Sequence, residues 1–320
     1  MRSSLLMTVA AASLFMAASS AVAGTWVPAN PVQGSQSTTV FGINNHNVVT
    51  GSYVDSSGHT HGFVGPFDGS NYTSFDDSGG ATQPRALNRR GYITGFDTST
   101  LVPWERYPDG TLQNVTKGGS DLNELAQGIN LTGDFAGNYF NAKSISKGYI
   151  GRKAKFRSKI KIPVPNLGFA GRAIDDAGDV GGWFYDPATG SQRGFVIWKG
   201  KFQRIDYPGT NTLYTVVEGM SNQGRVSGQW EDSSGIIHGF IYDILIGKHS
   251  YQSLDAPGAS FTQVWGINDN GVVAASAAVS GVTQSFVYCF RPTGCPGGSA
   301  GHVAKTQHRV SGKAPTPERL

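Results

Sequence analysis

Short runs of Val, Ile, Phe, Tyr and Thr alternate with clusters of Gly, Asp, Asn and Ser over most of the chain. The pattern is clearest in the runs at residues 216–220, 225–230, 236–242 and 250–255. Such runs predict strands. The clusters between them predict tight turns, because Gly takes positive φ and Asn, Asp or Ser side chains bond the local backbone. Four strands joined in this way predict one antiparallel meander.

The turn between the first two of these strands carries a six-residue motif that occurs six times. The copies are Gly42-Ile43-Asn44-Asn45-His46-Asn47, Ala86-Leu87-Asn88-Arg89-Arg90-Gly91, Gly128-Ile129-Asn130-Leu131-Thr132-Gly133, Ala173-Ile174-Asp175-Asp176-Ala177-Gly178, Gly219-Met220-Ser221-Asn222-Gln223-Gly224 and Gly266-Ile267-Asn268-Asp269-Asn270-Gly271. Their third residues lie 44, 42, 45, 46 and 47 positions apart. A period of this length, with only strand-like segments inside it, is typical of a propeller blade.

The sixth copy lacks a fourth strand, since the chain turns into a cysteine-containing loop after residues 286–288. Residues 25–28 precede Gly42 by about the distance that separates Ile205 from Gly219. We therefore expect the N-terminal segment to supply the outer strand of the last blade, which closes the ring and removes exposed sheet edges. The sequence predicts an all-β fold, a six-bladed β-propeller of four-stranded antiparallel blades.

The two ends of the chain fall outside this repeat. Residues 1–23 begin with Arg2, continue with a mostly apolar run and end in Ala21-Val22-Ala23, the pattern of a secretory signal peptide cleaved after Ala23. A single propeller domain is predicted over residues 24–296, and a disordered tail over 297–320. The mature protein is thus predicted to be exported, to the periplasm or to the cell exterior, without a membrane span. In such an oxidising compartment, Cys289 and Cys295 are predicted to form a disulfide.

The motif, followed by a strand and then by His-Gly-Phe, resembles the HAF-type extracellular repeat family of bacteria. The signature stands as His61-Gly62-Phe63 and His238-Gly239-Phe240, and in altered form as Arg193-Gly194-Phe195, Lys147-Gly148-Tyr149 and Gln284-Ser285-Phe286. The second repeat has no match to it. The resemblance covers roughly residues 25–290 and implies export and a propeller-like fold. It implies no activity and no catalytic residues.

The residue just before each motif differs in chemistry from copy to copy, whereas its surroundings repeat. These residues are Phe41, Arg85, Gln127, Arg172, Glu218 and Trp265. The first strand of a propeller blade lies closest to the axis, so the six side chains are predicted to face one central channel. They are candidates for gripping a small polar or sugar-like ligand. The alternative is that they merely fill the channel, with Arg172 or Arg85 paired to Glu218.

A basic segment lies between Lys147 and Lys161, with seven Lys and Arg and no acidic residue. These seven exceed the net charge of the whole chain, +4, so the positive charge is local. On a strand, alternation would place one set on a single face. The members of that set are Lys153, Lys155, Arg157, Lys159 and Lys161. The face is a candidate for binding an acidic polymer. Alternatively, its lysines only protect a sheet edge from unwanted pairing.

Two further clusters have a structural and a functional interpretation. His61 and His238 recur at one position of the repeat, either as a metal or acid–base site or as a hydrogen bond inside the blade. Asp175, Asp176 and Asp179 could bind Ca²⁺ through their oxygens, but they lack the spacing of a known calcium loop, and an acidic turn is the alternative. No other cofactor is predicted.

Two functions from different classes follow. The first is a non-enzymatic exported propeller that binds a small polar molecule or glycan in its channel, or an acidic polymer or a protein partner. The second is an exported carbohydrate-active hydrolase or lyase with Arg172, Arg85, Glu218 and His46 at the axis. The second requires another carboxylate near Glu218. No contiguous catalytic motif favours it.

Overall fold

The computed structural model describes residues 24–78, 80–118, 120–121, 124–209, 212–290 and 295. Blade 1 comprises β2 (Ser37–Ile43), β3 (Val48–Val54), β4 (Thr60–Pro66) and β5 (Thr73–Phe75). Blade 2 comprises β6 (Thr82–Leu87), β7 (Ile93–Asp97), β8 (Pro103–Arg106) and β9 (Leu112–Asn114). Blade 3 comprises β12 (Glu124–Ile129), β13 (Asp134–Phe140), β14 (Ser146–Arg152) and β15 (Lys155–Lys159). The short strands β10 (Thr116–Lys117) and β11 (Ser120–Asp121) extend the third sheet beyond β15.

Blades 4 and 5 comprise β16 (Phe169–Ile174), β17 (Val180–Asp186), β18 (Ser191–Trp198) and β19 (Lys201–Ile205), and β20 (Tyr214–Met220), β21 (Arg225–Glu231), β22 (Ile237–Asp243) and β23 (Gln252–Leu254). A 3₁₀ turn, Lys248–Ser250, precedes β23. Blade 6 is built from β24 (Ala259–Ile267), β25 (Val272–Val279), β26 (Val282–Cys289) and the N-terminal strand β1 (Thr25–Pro28).

The pairing of β1 closes the ring. It runs antiparallel to β26, with Trp26 opposite Tyr288 and Pro28 opposite Phe286. The Trp26 ring packs on both aromatic neighbours, with centroids 6.0 Å from Phe286 and 5.0 Å from Tyr288. The predicted six-bladed propeller, closed by the N-terminal strand, is therefore confirmed. The predicted signal peptide and the predicted C-terminal tail lie outside the described residues.

Each blade is filled by an aromatic side chain on its third strand. Phe63, Phe195 and Phe240, of the His-Gly-Phe signature and its variants, are fully buried. Each lies opposite a glycine of the second strand, as Phe63 does opposite Gly51. A Cβ at Gly51 would come within 1.9 Å of the Thr39 carbonyl oxygen and 2.9 Å of the Phe63 ring, so both the neighbouring strand and the ring require a glycine there. In the second blade, where the sequence shows no signature, Trp104 takes this place and is fully buried opposite Gly95.

The small residue that opens each motif lies where neighbouring blades meet at the axis. A Cβ at Gly128 would come within 2.7 Å of the Arg172 carbonyl oxygen and 2.8 Å of the Ala173 Cα in the next blade. Real Cβ atoms do not approach backbone so closely, because interiors are close-packed and backbone cannot yield cheaply. Only Gly or Ala stands at this position, and the reason is contact between blades.

The third residue of the motif joins one blade to the next. Asn44, Asn88 and Asn130 each donate from Nδ2 to the backbone carbonyl of the third motif residue in the following blade, at 3.2, 2.8 and 2.9 Å. Asn268 donates in the same way to the Asn44 carbonyl at 2.9 Å, across the closure. Each Asn also accepts turn N–H groups at its Oδ1, as Asn88 does from Arg90 and Tyr92. The chain of bonds stops at blade 4, because Asp175 has no side-chain N–H to donate.

The fourth motif residue makes a second chain of bonds that covers this gap. Oδ1 of Asp176, Asn222, Asp269 and Asn45 accepts the backbone N–H of the fourth residue in the preceding blade, at 2.7 to 2.8 Å. These bonds span the boundaries from blade 3 through blade 6 to blade 1. Arg89 and Leu131 carry no side-chain acceptor, so blades 1 to 3 depend on the asparagine bonds. Every boundary between blades therefore has at least one bond of the two kinds.

Candidate functional site: the axial chamber

A β-bulge occurs at the same point in the first strand of every blade. In β2, the ladder passes from the pair Val40–Gly51 to the pair Gly42–Thr50 and skips Phe41. The other five bulges lie at Arg85, Gln127, Arg172, Glu218 and Trp265. A bulge leaves its extra residue outside the ladder and re-aims its side chain. All six residues predicted to face the channel line one chamber on the axis.

Arg85 is held from several sides at once. Its guanidinium carbon lies 4.7 Å from the Trp265 ring centroid and 5.1 Å from that of Phe41, which is cation–π geometry. Its Nε donates to Gln127 Oε1 at 2.8 Å. The two aromatic rings also contact each other edge to face, at 5.1 Å. The guanidinium of Arg85 therefore has a fixed position in the chamber.

Glu218 lies between two arginines. Its Oε2 is 3.4 Å from Arg85 Nη2 and 3.8 Å from Arg172 Nη1, and only 8% of each of the three side chains is exposed. Ion pairs withdrawn from water to this degree interact more strongly than surface pairs, because solvent screens them less. This is the pairing that the channel-filling alternative expects, and it also defines the electrostatics of the chamber.

The chamber still has room beside these side chains. Its volume is about 80 Å³, several times the ~10–15 Å³ that one water molecule requires. Gln127 is 2% exposed, and its Nε2 has no hydrogen-bond partner among the described residues. A buried donor without an acceptor costs about 1–3 kcal/mol. A molecule with an acceptor oxygen beside Gln127 would recover part of that cost.

An apolar ring separates this chamber from a second cavity at the motif end of the axis. The second motif residues form the ring and border both cavities: Ile43, Leu87, Ile129, Ile174, Met220 and Ile267. Each is only 5–8% exposed. The second cavity, about 90 Å³, is lined by the third and fourth motif residues that join the blades. Sequence reasoning missed this ring, although the constant apolar second position of the motif was its signal.

The hydrolase alternative requires a second carboxylate near Glu218, and the described lining of the chamber does not contain one. Among the described residues that line the chamber, Glu218 is the one carboxylate. Its ion-pair partners are Arg85 and Arg172. His46 is exposed on a turn and does not line the chamber. The hydrolase or lyase alternative groups His46 with Glu218 at the axis, whereas the structure places His46 outside the chamber.

The basic segment is shorter as a strand than its sequence suggests. Only Lys155, Arg157 and Lys159 lie on β15; Lys153 sits in the preceding turn at φ 52°, and Lys161 follows the strand. All five side chains are exposed. The strand contains a bulge, and β10 pairs with it at Lys155, so it is not an open edge along its whole length.

One acidic residue of β13, which lies two strands from β15 in the sheet, lowers the charge of this surface. Asp134 forms ion pairs with both Arg152 and Arg157, the latter at 3.0 Å. The expectation of seven basic residues without an acid therefore holds along the sequence but not in space. Lys155 and Lys159 are the exposed charges of β15 outside this cluster.

The three carboxylates considered for Ca²⁺ make separate contacts. Asp175 Oδ1 accepts the N–H groups of Ala177 and Asp179, Asp176 bonds across to Leu131 and Asn222, and Asp179 accepts from Lys199 N. Burial, to which the charge of Asp179 adds, raises the pKa of Asp175 even though turn N–H groups act against it. Among the described residues, no group of three or more His, Cys, Asp or Glu is placed to hold a metal ion.

The recurring histidines each lie between two aspartates. His61 Nδ1 is 2.8 Å from Asp76 and its Nε2 is 3.3 Å from Asp55. His238 is placed in the same way, 2.8 Å from Asp255 and 3.5 Å from Asp232. Each ring stacks on an aromatic side chain of the second strand, Tyr53 or Trp230. These contacts tie the turn after the second strand to the fourth strand, as the structural interpretation expects.

Cys289, at the end of β26, forms a disulfide with Cys295. Cys289 is fully buried in a hydrophobic cluster that joins the last blade to blade 1. The bond therefore anchors the chain just after β26, the strand with which β1 pairs. The described part of the chain contains no helix with the length and apolar character needed to cross a bilayer.

Comparison with known proteins identifies a fold likeness alone. No protein-family model matches the chain, and no curated protein matches it. A streptogramin B lyase structure is 11% identical over 82% of this chain and 97% of its own, with a TM-score of 0.46. The β-propeller domain of the Trilobed protease from Pyrococcus furiosus is 10% identical, with 78% and 82% covered and a TM-score of 0.44. A putative gluconolactonase is 12% identical, with 84% and 92% covered and a TM-score of 0.47.

Proposed function

We propose that the protein is an exported binding protein whose axial chamber holds a small polar molecule, either free or as part of a glycan. The observation that carries the proposal is the chamber itself. Its six bulge residues include cationic, acidic, amide and aromatic side chains, whereas the Gly or Ala position and the apolar position next to them recur in every blade. Recurring positions build the ring, and the varying ones are where recognition can be placed on a common scaffold.

The geometry supports binding over glycoside hydrolysis. Hydrolysis of a glycosidic bond ordinarily uses two carboxyl groups on either side of the bond. Glu218 has no second carboxylate beside it among the described lining residues, and it contacts two arginines. Cationic groups around a polar chamber suit recognition of acceptor-rich molecules.

Export is part of the same proposal. It draws on the signal-peptide pattern of residues 1–23 and on the resemblance to HAF-type repeats. The disulfide between Cys289 and Cys295 supports it, because disulfides persist in oxidising compartments and are rare in the cytosol.

A screen of small polar molecules tests the chamber. Thermal stability of the wild type would be measured with neutral sugars, small acids and amino acids, and hits confirmed by calorimetric titration. Arg172→Ala should abolish binding of any hit while the protein stays folded, because Arg85 still faces Glu218. The matched control is Arg225→Ala, which removes an arginine 3.6 Å from Asp243 that does not line the chamber. Equal binding by both variants, or no hit at all, would contradict the proposal.

An acidic polymer at the basic surface is the second candidate, and the exposure of Lys155 and Lys159 favours it. Retention on heparin should then fall steeply with salt, and the double variant Lys155→Glu/Lys159→Glu should elute at lower salt. Lys199→Glu/Lys201→Glu, in the corresponding hairpin of blade 4, is the matched control with the same change of charge. Identical elution of the two double variants would exclude a site on β15.

A further inference from the structure

Two guanidinium groups in the chamber converge on a single carboxylate oxygen. Arg85 enters from blade 2 and Arg172 from blade 4, and both approach Oε2 of Glu218 from blade 5. The three side chains thus come from different blades and meet only because the ring is closed. Such an arrangement places two multiply donating cations around the position of one carboxylate.

The carboxylate of Glu218 is not in optimal contact with them. Charge-assisted N–H···O bonds are ordinarily about 2.7–2.9 Å long, whereas the two distances here are 3.4 and 3.8 Å. Glu218 is tethered to its own strand, and Arg85 is fixed by Phe41, Trp265 and Gln127. Arg85 cannot move closer to Glu218 without loosening these contacts. A carboxylate that is not tethered to the chain could approach both guanidiniums more closely.

The rest of the chamber favours the same chemistry. Gln127 Oε1 accepts a hydrogen bond from Arg85 Nε, so the NH₂ group of the same amide points away from that guanidinium. Within the described part of the chain, that Nε2 is a buried donor without an acceptor. A ligand beside it needs oxygen acceptors, and an ammonium group could not satisfy it. The apolar ring lies between the chamber and the cavity at the motif end of the axis, so a polar ligand that came from that end would have to pass apolar side chains.

We infer that the chamber recognises a small carboxylate, and that Glu218 takes the position of the ligand carboxylate when none is bound. The inference rests on the proposed function and specifies its ligand class. Arg85 and Arg172 bind the carboxylate, Gln127 donates to a neighbouring oxygen, and Glu218 competes with the ligand from within the chain. The carboxylate belongs either to a free small acid or to a sugar acid.

Three probes at constant ionic strength test the inference by calorimetric titration: glycolate as a free acid, D-glucuronate as a sugar acid and D-glucose as its neutral counterpart. Glycolate or glucuronate should bind the wild type, and glucose should not. Glu218→Asp withdraws the competing carboxylate by one methylene and keeps its charge, so it should lower Kd for the acid at least tenfold. Glu218→Gln should do so more strongly, and where it folds poorly, the acid should raise its melting temperature more than equimolar chloride does.

The outcomes separate the two proposals. Tighter binding of glycolate identifies a free acid, and tighter binding of glucuronate identifies a sugar acid; both support the inference. Binding of glucose as tight as that of glucuronate, abolished by Arg172→Ala, would overturn the inference and leave the proposed function standing. Weaker acid binding by Glu218→Asp than by the wild type would overturn the internal competition. Failure of all three probes and of the wider screen would overturn both proposals.

Discussion

Replacing Asn88 by Asp should destabilise the ring in a pH-dependent way. Asn88 is 5% exposed and donates at 2.8 Å to the Asn130 carbonyl, the bond that joins blade 2 to blade 3. Asp keeps the Oδ1 that accepts from Arg90 and Tyr92, so the turn itself is preserved. It removes only the donor and places a carboxylate oxygen against a carbonyl oxygen. The second chain of bonds does not cover this boundary, because Leu131 has no side-chain acceptor.

The expected loss of stability follows from the Asn130 carbonyl, which loses its hydrogen-bond donor. Leaving a buried acceptor unsatisfied costs about 1–3 kcal/mol. At neutral pH, repulsion between the carboxylate and the carbonyl oxygen puts Asn88→Asp at the upper end of that range. Burial and this repulsion should raise the folded-state pKa of the new carboxyl above its unfolded value of about 3.9. The destabilisation is therefore greatest above the folded pKa and shrinks as the pH falls, when the protonated carboxyl can donate again.

The chain provides the reverse substitution as a matched control. Blade 4 naturally carries Asp175 at this position, and burial, to which the charge of Asp179 adds, raises its pKa. Asp175→Asn removes that buried carboxylate and adds a donor facing the next blade. It should stabilise the protein at about pH 7 and have a smaller effect below the normal carboxyl pKa of about 3.9. The two substitutions exchange the same atoms in opposite directions, so they should change the free energy of unfolding with opposite signs.

Urea unfolding at about pH 7.5 and about pH 4 measures both variants, from the transition midpoint at constant m-value. The reasoning is refuted if Asn88→Asp stays within about 0.5 kcal/mol of the wild type at neutral pH, the range of ordinary surface substitutions. A loss that does not change with pH would also refute it, since the cost would then not come from a charge.

Three further predictions concern the blades and their closure. Gly128→Ala should lower the melting temperature more than Gly266→Ala, because the added Cβ would lie 2.7 Å from the backbone of the next blade in the first case and 3.2 Å in the second. Equal melting temperatures would contradict contact between blades as the reason for the small first motif residue. Burial lowers the pKa of His61, but Asp76 and Asp55 together raise it by more, so the folded-state pKa lies above the unfolded value of about 6.5. The two ion pairs therefore stabilise the fold fully below the unfolded pKa, and this stabilisation is lost as the pH rises through the folded pKa. His61→Gln should therefore be less stable than the wild type at about pH 5.5 and similar to it at about pH 8.5, whereas the exposed His249→Gln should match the wild type at both, and a deficit at high pH alone would be the wrong sign. Trp26→Ala removes the two aromatic contacts that hold β1 on β26 and should cost about 3 kcal/mol, with faster proteolysis at the N-terminal segment; unchanged urea unfolding would show that closure does not depend on this strand.

Much of the fold could be predicted because each repeat encodes its own strands and turns locally. The predicted strand at residues 225–230 falls within β21, and the N-terminal strand pairs where the missing fourth strand of the last repeat required it. Failures came where partners lie on another strand. Asp134 is distant in sequence from Arg157 but forms an ion pair with it. Trp104 fills the aromatic place of the second blade without any His-Gly-Phe signature.

The sequence by itself determined the number of blades, their strand order and the six positions that face the axis, because a motif at constant spacing repeats the same local geometry. Only the tertiary structure decided what these positions do together. Arg85, Arg172 and Glu218 belong to three blades, and no local pattern relates them. Ring closure brings them to one oxygen atom, with the bulges aiming each side chain inward and the apolar ring closing one end. The chemistry of the chamber therefore arises from the closed ring of blades.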